Sequence, residues 1–145
     1  MKRRCLQIIH MALMSLLFCA FVSLASAQDV QVKSSIDQTQ VTIGDPVQME
    51  VRVSRPEGVE ILSGRPVKKL EPFEILSSEL GQVRREGDRL VTVDRYRIAV
   101  YDTGVQAIPE VTSGYRTGDG REGEAKSGEH SVAVVSVIDQ REQAQ

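Results

Sequence analysis

The sequence has 145 residues, with 18 lysines and arginines against 20 aspartates and glutamates, a formal net charge of -2, two cysteines and no tryptophan. A balance this even lacks the basic excess that marks nucleic-acid binding. Both cysteines, Cys5 and Cys19, sit near the N-terminus, which excludes a disulfide scaffold or a cysteine-built zinc site from the rest of the chain.

The chain opens with a leader. Met1-Lys2-Arg3-Arg4 is a positive n-region. Residues 11–24 are a mostly apolar run, too short to span a bilayer comfortably. Ala25-Ser26-Ala27 is a small-x-small cleavage pattern. These features predict a secretory signal peptide over residues 1–27 and a periplasmic mature protein. The alternative is an uncleaved N-terminal anchor in the cytoplasmic membrane. Cys19 follows Phe18 rather than the small residue that a lipoprotein signal requires. Cleavage removes Lys2, Arg3, Arg4 and no acid, so the formal charge moves from -2 to -5. The expected organisation is one domain over 28–139 and a polar tail over 140–145. No later segment is long and apolar enough to be a transmembrane helix.

The remaining elements read as strands and turns. Val30–Ile36 is a first strand. Gly44-Asp45 forms a turn, and Pro46 opens a second strand without needing its N–H. Val47, Met49, Val51 and Val53 alternate with Gln48, Glu50 and Arg52, the pattern of a half-buried antiparallel strand. Gly58–Leu62 is a third strand, and residues 71–80 a fourth with Phe73, Ile75 and Ser77 on one face. A hairpin comes next, turning at Glu86-Gly87-Asp88. Its second arm is the longest strand. Tyr96, Ile98 and Val100 share one parity, and Val91 and Val93 the other. A one-residue bulge near Asp94 is expected to reconcile them. Asp102-Thr103-Gly104 ends that strand, and Pro109 marks an edge or bulge in the next. Residues 117–129 read as a polar, glycine-rich loop or loose hairpin. His130–Ile138 is apolar on both faces, which places it centrally. About seven or eight short strands with frequent turns predict an all-β, immunoglobulin-like antiparallel β-sandwich.

The sharpest chemical candidate is Asp102-Thr103-Gly104. Preceded by apolar residues, it matches the active-site loop of a small homodimeric aspartic protease. That chemistry needs two such aspartates sharing a proton, with a second apolar-apolar-Gly segment and a glycine-rich flap, neither of which the sequence offers. The competing reading is a turn between strands, with Gly104 supplying the backbone angle and Asp102 accepting turn hydrogen bonds. The structural-turn set is therefore Gly44, Asp45, Asp102, Gly104 and Pro109. Asp119, Glu122, Glu124 and Glu129 would be the oxygen ligands of a calcium- or glycan-binding secreted module, but their spacing fits no EF-hand. His130, the one histidine after the leader, reads as a surface residue. Arg84, Arg85, Arg89, Arg95 and Arg97 read as a charged outer sheet face that blunts edge pairing. No residue set argues for catalysis, a metal or a cofactor, so the protein is expected not to be an enzyme.

Gly44-Asp45, Pro72-Phe73, Asp102-Thr103-Gly104, Ile108-Pro109 and Tyr115 occur in an order that resembles the N-terminal extracytoplasmic domain of the BatD family, the oxygen-tolerance proteins. The resemblance covers residues 30–138. It implies an immunoglobulin-like domain that acts in envelope protein assembly or stress tolerance. It also implies a partner among cell-envelope proteins, von Willebrand factor A-type Bat proteins in particular, in systems that also contain MoxR-type ATPases. No catalytic residue comes with it. BatD-type proteins continue into further domains and a C-terminal transmembrane helix. The expectation here is a free periplasmic relative or a truncated product of a longer one.

Overall fold

The computed structural model describes residues 30–138. The signal peptide expected over 1–27, residue 139 and the tail at 140–145 lie outside them. The described chain is all-β, with eleven strands. They are β1 (Gln31–Ile36), β2 (Gln40–Thr42), β3 (Val47–Pro56), β4 (Glu60–Ile61), β5 (Glu74–Glu79), β6 (Arg84–Glu86), β7 (Arg89–Ala99), β8 (Gly104–Ile108), β9 (Thr112–Arg116), β10 (Glu122–Lys126) and β11 (His130–Val135). No helix among the described residues is long and apolar enough to cross a membrane.

One sheet runs β1-β3-β7-β5, with β6 beside β5 on the same edge of β7. Two smaller sheets run β2-β11-β8 and β10-β9-β4. The smaller sheets are two halves of one interrupted hairpin. Gly104↔Val134 through Ile108↔His130 and Thr112↔Lys126 through Arg116↔Glu122 keep to a single register. Pro109 breaks the ladder because it has no N–H to donate. Ser127 bridges the gap, its N–H donating to the Val111 carbonyl and its Oγ accepting from the Val111 N–H, each at 2.9 Å. All pairings are antiparallel except β2 with β11.

The alternation along β3 is as the sequence predicts: Val47, Met49, Val51 and Val53 are all buried. Tyr96 and Ile98 of β7 meet them from the same sheet, and Val41, Ile108, Val132 and Val134 come from β2, β8 and β11. These residues form one core cluster, so the sheets share an interior in a sandwich-like arrangement. β11 is central between β2 and β8, as its two apolar faces suggest.

The count exceeds the seven or eight strands expected from sequence for three reasons. The first arm of the interrupted hairpin, read as one strand, is cut into β8 and β9. β10 lies inside the segment read as a polar loop. β2, three residues long, is too short to show a period. The hairpin turn is Gly87-Asp88, with Glu86 opposite Arg89 and Gly87 at φ 62°. A glycine at the first central position is the requirement of a type II′ turn.

The bulge expected near Asp94 is absent from the β3–β7 ladder, which runs unbroken from Val47↔Ile98 to Pro56↔Arg89. The only register shift against β7 lies on its other side, in β5 between Ile75 and Ser77. Parity is therefore conserved along β7. Its inward row is Thr92, Asp94, Tyr96 and Ile98, with Asp94 only 2% exposed. The sequence hides this because a carboxylate on a core-facing position breaks the apolar pattern that defines the face.

Candidate functional site

Strand β4 pairs with β9 over just two residues, Glu60↔Arg116 and Ile61↔Tyr115. The Leu62 and Ser63 amides both donate to the Gly114 carbonyl, at 2.8 and 3.4 Å. The Ser63 hydroxyl accepts from the Gly114 N–H at 3.2 Å. The chain then leaves the hairpin at Gly64, whose φ of 86° is in the left-handed region. A Cβ on Gly64 would collide with the Thr112 carbonyl oxygen and come within 2.9 Å of the Ser113 Cα. Only glycine combines this backbone angle with this approach.

From Gly64 the segment 64–73 crosses to the opposite sheet, where β5 joins β7. Two contacts fasten it. Arg65 reaches the buried carboxylate of Asp94 with two donors, Nε to Oδ2 at 2.7 Å and Nη2 to Oδ1 at 2.8 Å. The Val67 N–H donates to the Tyr96 hydroxyl at 3.1 Å. Gly81, between β5 and β6, completes the clamp. Its N–H donates to Asp94 Oδ1 at 2.9 Å and its carbonyl accepts from Arg65 Nη2. Asp94 thus accepts three donors, which is what a desolvated carboxylate requires. The carboxylate holds the Arg65 guanidinium above its ordinary pKa, against the opposing pull of burial. Burial likewise pushes the Tyr96 phenol upward, the Val67 hydrogen bond opposing it.

The crossover leaves its mark on β8. Because β4 departs at Gly64, β9 has a third strand beside it, while β8 has β11 on one side and no strand on the other among the described residues. An open edge presents unpaired N–H and C=O groups to another chain. The remaining edges, β4 apart, carry the usual defences. β6 is Arg-Arg-Glu, β10 carries Glu122, Glu124 and Lys126, β5 carries Glu74, Glu79 and the register shift, and β1 carries Lys33. β2 spans only three residues. β8 reads Gly104-Val105-Gln106-Ala107-Ile108, five residues with no charge and no proline. Val105 is 76% exposed and the nearby Tyr101 57%.

The residues singled out from sequence fall around this edge and elsewhere. Gly104 opens β8 at φ 94°, and Pro109 comes directly after its last residue. Asp102 is exposed in the β7–β8 connection, and its carboxylate makes no hydrogen bond among the described residues. Gly44, at φ 78°, turns β2 into β3, and its N–H donates to the Val100 carbonyl at 3.1 Å. The Asp45 N–H donates to the Thr42 carbonyl at 3.0 Å.

The acidic group at residues 119–129 is not drawn together. Asp119 accepts from Arg121 Nε at 2.7 Å and from the Thr117 hydroxyl, and that hydroxyl bond is the main cause of its lowered pKa. Glu122 accepts from Arg116 at 2.6 Å across the hairpin. His130 is not a free surface residue. Its Nε2 lies 2.8 Å from the Ser34 hydroxyl and 3.0 Å from the Ser34 carbonyl, tying β11 to β1.

Arg84, Arg89, Arg95 and Arg97 share the outer face of the large sheet. Arg95 pairs with Glu50 at 3.4 Å, and Arg89 donates to the Ser54 hydroxyl at 2.6 Å. Arg85 does not join them: it stands opposite Leu90 on the inward parity and pairs with Glu57 at 2.8 Å.

Sequence reasoning missed Arg65, Asp94, Gly64 and Gly81. Strict period-two counting back from Ile98 and Tyr96 would have placed Asp94 inside. Nothing in the local sequence points from Asp94 to Arg65, 29 residues away.

No protein-family model and no curated protein matches the chain.

Proposed function

We propose that the chain is an exported, non-enzymatic protein-interaction module with an immunoglobulin-like β-sandwich, related to the BatD domain and acting in envelope protein assembly or oxygen-stress tolerance. The strand order supports the immunoglobulin-like reading. β1-β3-β7-β5 has the order of the four-strand face of such domains, and β10-β9-β4 that of the three-strand face. The leader and the motif order carry the export and family parts of the reading.

The observation that carries the interaction role is the open, uncharged edge of β8. A partner strand adds to such an edge by main-chain hydrogen bonds, with side-chain pockets giving specificity. The partner in this reading is another envelope protein, a von Willebrand factor A-type Bat protein being the first candidate. Val105→Lys places a charge on the edge while leaving the core untouched, so the stability change is expected within about 0.5 kcal/mol. A photocrosslinking residue at Ala107 should trap a partner in the periplasm, and Val105→Lys should abolish the adduct. Equal crosslinking from a probe at Lys33, or an adduct that survives Val105→Lys, rules out this edge. A neighbouring MoxR-type ATPase gene and von Willebrand factor A genes would support the Bat assignment.

The acid-protease alternative has a separate test. Asp102 is exposed and its carboxylate unbonded, so Asp102→Asn should shift stability by no more than about 0.5 kcal/mol and leave partner binding intact. Cleavage of an unfolded substrate at acid pH that disappears in Asp102→Asn would replace the interaction reading with the enzymatic one.

A further inference from the structure

A second surface lies between the edges of the two layers, remote from β8 in sequence and built from different elements. It is a cleft of about 530 Å3 lined by Arg55, Gly58 to Ser63, Arg65, Leu80, Val83 and Thr92. Three observations make it more than a gap.

First, the inward row of β3 ends in Arg55, and the inward row of β7 turns polar at Thr92 and Asp94 where the cleft opens. The interior here is polar by composition. Arg55 donates Nη1 to the Val59 carbonyl but forms no ion pair among the described residues. Arg65 keeps its Nη1 donors, since Asp94 and Gly81 take Nε and Nη2. The one carboxylate on the rim, Glu60, is directed to Arg116 at 3.9 Å.

Second, the walls are apolar. Ile61, Leu62, Leu80 and Val83 face the cleft, the last three being exposed.

Third, one wall is a strand edge. β4 pairs with β9 on one side only, and Gly58 to Leu62 line the cleft on the other, where the Val59 N–H and carbonyl are held by Pro56 and Arg55 and Ile61 has no strand beside it among the described residues.

We propose that this cleft binds an extended apolar peptide bearing a carboxylate. The peptide lies along the free edge of β4, its apolar side chains rest on Leu62, Leu80 and Val83, and its carboxylate pairs with Arg55. Guanidinium and carboxylate match as planar, two-point partners. The free β4 edge favours a peptide over an acyl chain, because only a peptide uses the backbone groups of an edge strand. The position suits an added strand, since variable-type immunoglobulin domains extend their three-strand sheet beyond this same strand.

The test uses the purified full chain and a fluorescein-labelled heptapeptide that alternates valine and serine and ends in leucine with a free C-terminus. Fluorescence anisotropy should show saturable binding that weakens as salt rises. The C-terminal amide of the same peptide should bind about tenfold or more weakly, reflecting the lost charge-assisted bond. An amide carrying an internal glutamate should recover affinity if a side-chain carboxylate serves equally. Arg55→Gln should weaken the free acid by about the same tenfold factor and leave the amide unchanged. Leu62→Asp, at an exposed wall position, should abolish binding without unfolding the domain, and it keeps the test decisive if Arg55→Gln destabilises.

Val105→Lys, which tests the β8 edge, should leave peptide affinity unaltered, so the two surfaces fail independently. Equal affinity for acid and amide, displacement of the peptide by decanoate, or undiminished binding in Leu62→Asp overturns the proposal.

Discussion

Arg65→Met is expected to destabilise the domain by about 3 kcal/mol, because breaking a buried ion pair from one side leaves the other charge without compensation. The asymmetry between the partners sharpens the expectation. The Asp94 side chain is 3% exposed and the Arg65 side chain 28%. Once Arg65 is gone, Asp94 keeps one donor, the Gly81 N–H, for a nearly fully buried charge. Asp94→Asn instead orphans a guanidinium that can rehydrate, so its cost should be smaller, about 1–2 kcal/mol. Replacing both, Arg65→Met with Asp94→Leu, should recover part of the loss, since an apolar pair of similar bulk avoids the desolvation term. Thermal unfolding reads these directly. A loss of about 3 kcal/mol corresponds to a drop of roughly 10–20 °C in Tm for a domain of this size. Because the Asp94 carboxylate raises the Arg65 pKa, the cation side of the pair stays charged from acid pH up to its ordinary value and is lost only above that. A cost below about 1 kcal/mol for Arg65→Met, or single-variant losses that add without coupling, would mean that the clamp does not hold the crossover.

Gly64→Ala is expected to cost at least about 3 kcal/mol, since backbone strain and a steric collision act together. The φ of 86° is one that a Cβ resists, and the Cβ would meet the Thr112 carbonyl oxygen and the Ser113 Cα, both backbone atoms of β9. Backbone in a paired strand cannot yield as a flexible side chain does. Gly104→Ala is the matched control. Its φ of 94° is also left-handed, but nothing lies within 4 Å of the Cβ position, so its cost should be about 1–2 kcal/mol from strain alone. Denaturant unfolding of the two variants separates strain from packing. Equal midpoints would show that the close approach at Gly64 contributes nothing.

These two expectations meet at one structural decision, the departure of the chain from the hairpin at Gly64. Gly64 permits the turn, Arg65 and Asp94 anchor the crossing segment, and Val67 bonded to Tyr96 adds a second hold. Had β4 continued along the hairpin, β8 would have a neighbour and no open edge. The clamp therefore governs the β8 surface without lying on it.

Much of the scaffold was legible in the chain itself. A strand with one buried face must alternate, and Val47 to Val53 does so without exception. Gly87, Gly104 and Gly44 mark turns because only glycine adopts their backbone angles cheaply. Pro109 interrupts a ladder because it has no donor. The apolar run Val132 to Val135 sits in a central strand, with β2 and β8 on its two edges, while only Val132 and Val134 are fully buried.

Long-range matters were decided elsewhere. Asp94 looked like the point where β7 changes face, since a lone carboxylate is costly to bury and local patterning assigns it to solvent. Its burial is acceptable only with Arg65 and Gly81, residues distant in sequence that arrive through the crossover. The unity of β8 with β9 and of β10 with β11 is a matter of register across a gap, invisible to any window along the chain. The open edge of β8 and the cleft beside β4 are absences of a neighbour, and a neighbour is a property of topology. Local physics wrote the strands and turns of this protein into its sequence. Which edges stay unpaired, and which charges are safe inside, depends on pairing free energies that exist only once the sheets have assembled.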